Sequence, residues 1–109
     1  MKHRINWGHQ ARIDVLLIRQ YLSVKAGRPV ARRIAGRLFS AVDQLQSMPR
    51  IGRIGARVGT RELTSVQPYI IVYRIDGDTG SLEDRLGDVE ILRIWHGAQD
   101  RAPDDPPRE

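Results

Sequence analysis

The sequence predicts an α+β fold in which two N-terminal helices pack on a mostly antiparallel sheet, in the order β-α-α-β-β-β. Three observations predict this fold. Apolar residues recur at helical spacing twice in the first half of the chain, whereas the second half contains short β-branched and aromatic runs. Proline and glycine separate these segments. The 109 residues are enough for one domain with a single core.

We assign residues 1–100 to this single domain. Residues 101–109 are proline-rich and acidic, and are predicted to form a disordered tail. The chain has no cysteine, which excludes disulfides, zinc–thiolate sites and cysteine nucleophiles. It also has no apolar run of the roughly 20 residues that cross a bilayer, and no apolar signal segment at the start. We therefore expect a cytoplasmic protein without a membrane partner.

The first half contains a short strand and two helices. Residues 2–7 are predicted to form the strand, and residues 10–25 the first helix. Gly27 ends this helix, and Pro29 lies in the first turn of the second one, where proline is favoured. Pro49 ends the second helix. The apolar residues at helical spacing in the first helix are Ala11, Val15, Ile18 and Leu22.

The second half contains three predicted strands, at 60–66, 69–75 and 89–96. The continuous apolar run of the middle strand suggests a central strand covered on both faces. Residues 50–59 form a basic, glycine-rich connection that is either a flexible charged loop or a nucleic-acid contact. That connection lacks the Lys-Ser/Thr ending of a P-loop. Residues 76–88 begin with a hairpin signal but are too long for a tight turn, and they fail the calcium-loop spacing.

Charge is distributed unevenly along the chain. Residues 1–75 contain 14 Lys and Arg against 3 Asp and Glu, a net charge of +11, and residues 76–109 contain 4 against 10, a net charge of −6. The basic residues are nearly all arginine, which pairs with phosphate or carboxylate through two hydrogen bonds. This pattern favours a surface for nucleic acid or an acidic protein. The alternative is ordinary solvated charge.

Part of the basic charge lies in the first half of the second helix. The arginines there are Arg28, Arg32, Arg33 and Arg37. Cations are disfavoured near a helix N-terminus, and Arg33 and Arg37 are a like-charge pair four residues apart. Because these arginines are unfavourable for the helix itself, we infer that their side chains have a function. We expect carboxylates of a partner to offset their charge.

A second candidate site lies on the strands. Its residues are Arg61, Arg74, Arg93 and His96. If the register of the sheet brings them together, they form a cationic cluster that grips phosphates, with His96 moving a proton near neutral pH. The alternative is structural: Arg61–Glu62 and Arg93–Glu90 are surface ion pairs, and His96 hydrogen-bonds the end of the chain. The scattered histidines lack metal-ligand spacing and the serines lack a nucleophile-elbow pattern, so we expect neither a metal nor a cofactor.

Several segments together resemble the RelE/ParE superfamily of small bacterial toxins. They are Pro49-Arg50-Ile51-Gly52, Gly59-Thr60-Arg61-Glu62-Leu63, the strand Tyr69 to Ile75, and Ile91-Leu92-Arg93-Ile94-Trp95-His96 with Asp100. The ParE branch resembles this chain more closely, because its members often show the Tyr73-Arg74 ending and the Arg-x-x-His-x-x-x-Asp close. The RelE-type ribonucleases usually carry a basic residue where this chain has Tyr69.

This resemblance implies a toxin that inhibits DNA gyrase, performs no chemistry of its own, and is neutralised by an antitoxin with a DNA-binding N-terminal part. Operator DNA would be contacted only through that antitoxin. The four helix arginines would bind the antitoxin, and the four strand residues would bind the target. The alternative is a RelE-like mRNA endonuclease that acts on the ribosome, with the same four strand residues as its catalytic groups. A weaker alternative is a non-toxic nucleic-acid-binding module.

Overall fold

The computed structural model describes residues 2–97, and it confirms the predicted fold of two helices packed on one sheet. The elements are β1 (Ile5–Trp7), α1 (His9–Ala26), α2 (Arg28–Gln44), β2 (Arg53–Ile54), β3 (Arg61–Leu63), β4 (Tyr69–Ile75) and β5 (Val89–His96). The sequence did not predict β2, which lies in the basic connection. The predicted disordered tail and Asp100 lie outside the described residues.

The five strands form one mixed sheet in the order β1-β5-β4-β3-β2. The first strand runs parallel to the last, with Ile5 opposite Val89, and every other pair of neighbours is antiparallel. The connection through both helices therefore returns β1 to the edge beside β5. A bulge at Leu92 interrupts the register between β4 and β5, because Val72 faces Arg93 whereas Tyr73 faces Ile91.

The two helices cover one face of the sheet. Alternate residues of β4 point to them and are buried, namely Tyr69, Ile71, Tyr73 and Ile75. They pack against Ala11, Val15, Leu38, Ala41 and Val42 of the two helices and against Leu45 in the turn after α2. We call this side the helix face. The other side, the open face, carries Ile70 and Val72, which are only partly buried, so the prediction that β4 is covered on both faces is wrong.

Glycine and proline set the limits of the helices. Gly27 joins them with φ of +93°, a conformation that other residues rarely adopt, and Pro29 lies in the first turn of α2 as predicted. The second helix ends at Gln44, before Pro49, and a hydrogen-bonded turn at 45–47 follows. Among residues 2–97, no helix is both long enough and apolar enough to cross a membrane.

Candidate functional site

The sheet does not bring the four predicted strand residues into one cluster. Arg61 lies opposite Tyr73 and His96 opposite Tyr69, so both share the helix face with those tyrosines. The open face instead carries the other two, Arg74 and Arg93. The four residues therefore do not form the single cationic cluster that we considered from the sequence alone. Each of them individually is still a candidate for contact with a target.

Arg61 is buried and forms an ion pair that the sequence did not suggest. Its Nε donates to Asp78 Oδ2 at 2.7 Å, and its Nη1 donates to the carbonyl oxygen of Gly52 at 3.2 Å. The hydrogen bond between the two side chains raises the pKa of Arg61 and lowers the pKa of Asp78. The expected surface pair Arg61–Glu62 is wrong, because these neighbours point to opposite faces of β3.

Arg50 extends this pair into a network that holds the 76–88 loop. Its Nη2 donates to the carbonyl oxygen of Ser81 at 2.7 Å and to Asp84 Oδ2 at 3.0 Å, and lies 3.4 Å from Asp78. Thr79 donates its backbone N–H and its hydroxyl to Asp84, which lowers the pKa of that carboxyl. The acidic loop is thus bound to the basic connection. The opposite charges of the two segments were the only sequence signal for this contact.

Tyr73 fixes the start of the basic connection. Its buried hydroxyl donates to the carbonyl oxygen of Pro49 at 2.7 Å and accepts from the backbone N–H of Gly52 at 2.9 Å. Burial raises the pKa of this phenol. A Cβ atom at residue 52 would lie 2.6 Å from the Tyr73 hydroxyl, so this position requires glycine. The Tyr73-Arg74 ending therefore contributes a structural tyrosine.

Arg93 forms a two-point ion pair with the first helix. Its Nε and Nη2 donate to the carboxylate of Asp14 at 2.8 and 3.1 Å, and Asp14 also accepts from the backbone N–H of Ile94 at 2.8 Å. The guanidinium lies 4.0 Å from the centre of the Trp95 ring. The expected Arg93–Glu90 pair is wrong, since Glu90 accepts from Arg74 instead, at 2.7 Å. The sequence did not identify Asp14, a carboxylate on the buried and otherwise apolar side of α1.

His96 packs against an aromatic ring near the end of β5. Its ring meets Tyr69 edge-on, with 5.5 Å between the ring centres. Burial raises the pKa of the Tyr69 phenol. The imidazole thus packs at the end of the sheet on the helix face.

The open face contains a small pocket of about 70 Å³. Its lining residues are Arg57, Thr60, Glu62, Val72, Leu92, Arg93 and Trp95. Glu62 is 4% exposed and accepts two hydrogen bonds from Arg53, at 2.8 and 3.1 Å. The volume of the pocket suits one apolar side chain of a partner. Its charged groups already bind other groups of the protein. No group of three or more acidic or histidine side chains in residues 2–97 is placed to hold a metal ion.

The helices present the second candidate surface. The four arginines of α2 are Arg28, Arg32, Arg33 and Arg37, and all are exposed. The first helix exposes large apolar side chains nearby in sequence, including Tyr21 and Val24. An exposed surface with both cations and apolar side chains suits a partner that is acidic and amphipathic.

Comparison with known proteins agrees with this fold. Residues 5–101 match the family model described as the ParE toxin of type II toxin-antitoxin systems, parDE. A putative toxin, Y4kP, from Sinorhizobium fredii (strain NBRC 101917 / NGR234) is 36% identical over 99 residues, covering 90% of this chain and 92% of that protein. Toxin RelE2 from Caulobacter vibrioides (strain ATCC 19089 / CIP 103742 / CB 15) is 34% identical over 96 residues, covering 88% and 97%.

A solved structure shares the fold at lower sequence identity. A chain of the chromosomal ParDE TA system from P. aeruginosa superimposes with a TM-score of 0.73 at 23% identity, over 87% of this chain and 96% of that one.

Proposed function

The chain belongs to the ParE toxin family of type II toxin–antitoxin systems, and we propose that it inhibits DNA gyrase and that a cognate antitoxin neutralises it. One observation carries the choice of a non-catalytic mechanism. The charged groups that a phosphodiester-cleaving site would need are held in internal ion pairs, Arg61 by Asp78 and Arg93 by Asp14. Cleavage by general acid–base chemistry also needs an imidazole or carboxylate that points at the reacting phosphate. Carboxylates that bind arginines within the protein do not supply such a group.

The antitoxin in this proposal lies over the helices. Its carboxylates pair with the exposed α2 arginines, and its apolar residues cover Tyr21 and Val24 of α1. Burying these apolar side chains stabilises the complex, while the charge pairs set its orientation. On the open face, the Arg74 and Arg93 side chains are 56% and 27% exposed beside their internal ion pairs, and in this proposal their exposed parts contact gyrase.

A second function is a RelE-like endonuclease that cleaves mRNA on the ribosome. The specific observation in its favour is the 34% identity to a curated relative named Toxin RelE2. In that mechanism Arg61, Arg74 and Arg93 would stabilise charge on the phosphate, and His96 would move a proton. Against this mechanism, Arg61 and His96 lie on the helix face and Arg74 and Arg93 on the open face, so the four groups do not share one side of the sheet.

Controlled expression in cells distinguishes the two functions. Induction of the toxin alone should arrest growth and activate a DNA-damage reporter, while ribosome-bound mRNA stays intact. Co-expression with the neighbouring gene should restore growth and give a complex that survives moderate salt. Rapid mRNA cleavage at codon intervals without reporter activation would establish the second function instead. Normal growth with high yield of the protein alone would contradict both.

A further inference from the structure

The joined ends of the two helices form a projecting tip. We define the hairpin tip as residues 19–37, from the second half of α1 to the first half of α2. The buried residues of its α2 arm, Ala31 and Ala35, lie outside the core cluster that the sheet shares with the rest of α2. At the far end, Val24 is 84% exposed. Ile34 of the same arm still packs against that core, so it is the end of the tip nearest Gly27 that is held by contacts between the two helices.

The hairpin tip has a net charge of +6 with no acidic residue. Its cations are Arg19, Lys25, Arg28, Arg32, Arg33 and Arg37. All six side chains belong to exposed residues. None of them makes a side-chain hydrogen bond or ion pair within the described part of the chain, whereas Arg50, Arg61, Arg74 and Arg93 all do. The charge of the tip is thus available to a ligand.

The arginines of α2 form two ridges. With about 3.6 residues per turn, Arg28 and Arg32 lie on one flank of the exposed surface and Arg33 and Arg37 on the other. Within the tip, the strip between the ridges carries Pro29 and Gly36, and it continues beyond the tip through Ser40 to the exposed Asp43. Large apolar side chains are absent from this strip, so the apolar residues of an antitoxin would pack on Tyr21 and Val24 of α1, and only its carboxylates would reach the α2 arginines.

Gly36 lies at the centre of this strip and has no structural reason to be glycine. It is exposed in mid-helix, and apart from its chain neighbours and the backbone of its own helix no heavy atom lies within 4 Å of the position that its Cβ would take. Glycine is disfavoured relative to alanine in a helix interior. Its effect here is to lower the helix surface between two rows of arginines, which allows a ligand to approach the backbone closely.

We propose that the hairpin tip binds duplex DNA directly, through phosphates and without sequence preference. An α-helix fits the major groove, where the two arginine ridges face the two phosphate-lined walls. Guanidinium groups bind phosphate oxygens through paired hydrogen bonds, and such contacts carry no sequence information. The toxin thus has a DNA-binding surface of its own, besides any contact with operator DNA through the antitoxin. An antitoxin over the helices would cover this surface.

Fluorescence anisotropy with the full-length toxin, freed of its antitoxin, tests this proposal. The probes are two labelled duplexes of unrelated sequence, about 20 base pairs long, titrated between about 50 and 200 mM salt. Contact with four to six phosphates predicts a slope of log K against log salt of roughly −4 to −5, with similar affinities for both duplexes. Arg32→Ala and Arg33→Ala should each reduce the slope by about 1. The matched control Arg12→Ala removes an exposed arginine outside the tip and should leave the slope nearly unchanged.

Gly36→Leu separates DNA contact from folding. Leucine favours the helix, so thermal stability should be retained or raised, while the filled strip should weaken DNA binding on the order of tenfold or more. Unchanged DNA binding by this variant would contradict the close approach at Gly36. The proposal is overturned if the toxin binds no DNA at the lowest salt, or if Arg12→Ala weakens binding as much as the tip variants do. It is equally overturned if the tip variants lose only antitoxin affinity. None of these outcomes depends on whether gyrase is the target.

Discussion

Asp14 of α1 and Arg93 of β5 form a two-point ion pair that ties the first helix to the last strand, across 79 residues of sequence. The same carboxylate accepts from the N–H of Ile94, in the part of β5 that extends beyond its pairing with β1. Asp14 thus satisfies a backbone donor that has no neighbouring strand and orients the Arg93 guanidinium over Trp95. Arg93 reaches the open face from a fixed position.

This pair makes Asp14 important for stability. Asp14→Ala removes three hydrogen bonds and leaves the Ile94 N–H without its partner, so we expect a loss of about 2 to 3 kcal/mol of unfolding free energy, measured by urea denaturation. Asp43→Ala removes an exposed carboxylate of α2 and serves as the control, with little expected change. A double-mutant cycle with Arg93→Ala should give a clear coupling energy. Wild-type stability of Asp14→Ala would refute this role.

Arg93 and His96 should differ in their effects on toxicity. Arg93→Ala removes a guanidinium from the open face, which we propose contacts the target, so toxicity should fall sharply. His96→Ala removes an edge contact with Tyr69 and should weaken toxicity modestly, through about 1 kcal/mol of local stability. Growth assays on both variants, with folding checked by circular dichroism, measure this difference.

Two results would reassign these residues. Full toxicity of a folded Arg93→Ala variant would place the target-binding site on another part of the sheet. A loss on the order of 10²- to 10⁴-fold in mRNA cleavage rate for His96→Ala, with antitoxin affinity intact, would identify the imidazole as a general acid or base.

Tyr73→Phe tests the contact between β4 and the basic connection. The phenylalanine keeps the ring but leaves the Pro49 carbonyl and the Gly52 N–H without their buried partner. We expect about 2 kcal/mol of destabilisation, measured by thermal or urea unfolding. Tyr21→Phe removes a hydroxyl from a side chain that is 61% exposed, and should change stability little. Equal effects of the two substitutions would show that the Tyr73 hydroxyl contributes nothing specific.

The Arg61–Asp78 pair predicts acid sensitivity. The pKa of Asp78 is lower in the folded protein than its ordinary value of about 4, because Arg61 donates to its carboxylate. The folded state therefore binds this proton less tightly than the unfolded chain does, and the stabilisation is present above pH 4 and lost as the pH falls below it.

The corresponding measurement compares wild type with Asp78→Asn at several pH values. The unfolding free energies should differ by about 2 kcal/mol at neutral pH and converge in acid. Asp43→Asn, on the exposed surface of α2, should show no such pH-dependent difference. A gap between wild type and Asp78→Asn that stays constant down to acid pH would contradict the assignment.

The sequence predicted the element order because helical and strand periodicity, with proline and glycine between segments, are local signals. β4 and β5 have the predicted bounds, 69–75 and 89–96. The two residues of β2 were missed because so short a strand has no period. The partners of the arginines were mispredicted because chain neighbours on a strand point to opposite faces, and the pairing register is not written in the sequence. Asp14 and Asp78 reach their arginines only through the tertiary fold.

The gyrase cleavage assay tests the central claim most directly. Purified toxin is incubated with gyrase, ATP and supercoiled plasmid, and the DNA is analysed after denaturation and protease treatment. We predict that linear DNA accumulates with toxin concentration, that antitoxin abolishes the effect, and that folded Arg93→Ala produces less of it. Gyrase that is unaffected by the toxin, together with cleavage of mRNA on programmed ribosomes by the same preparation, would contradict this account.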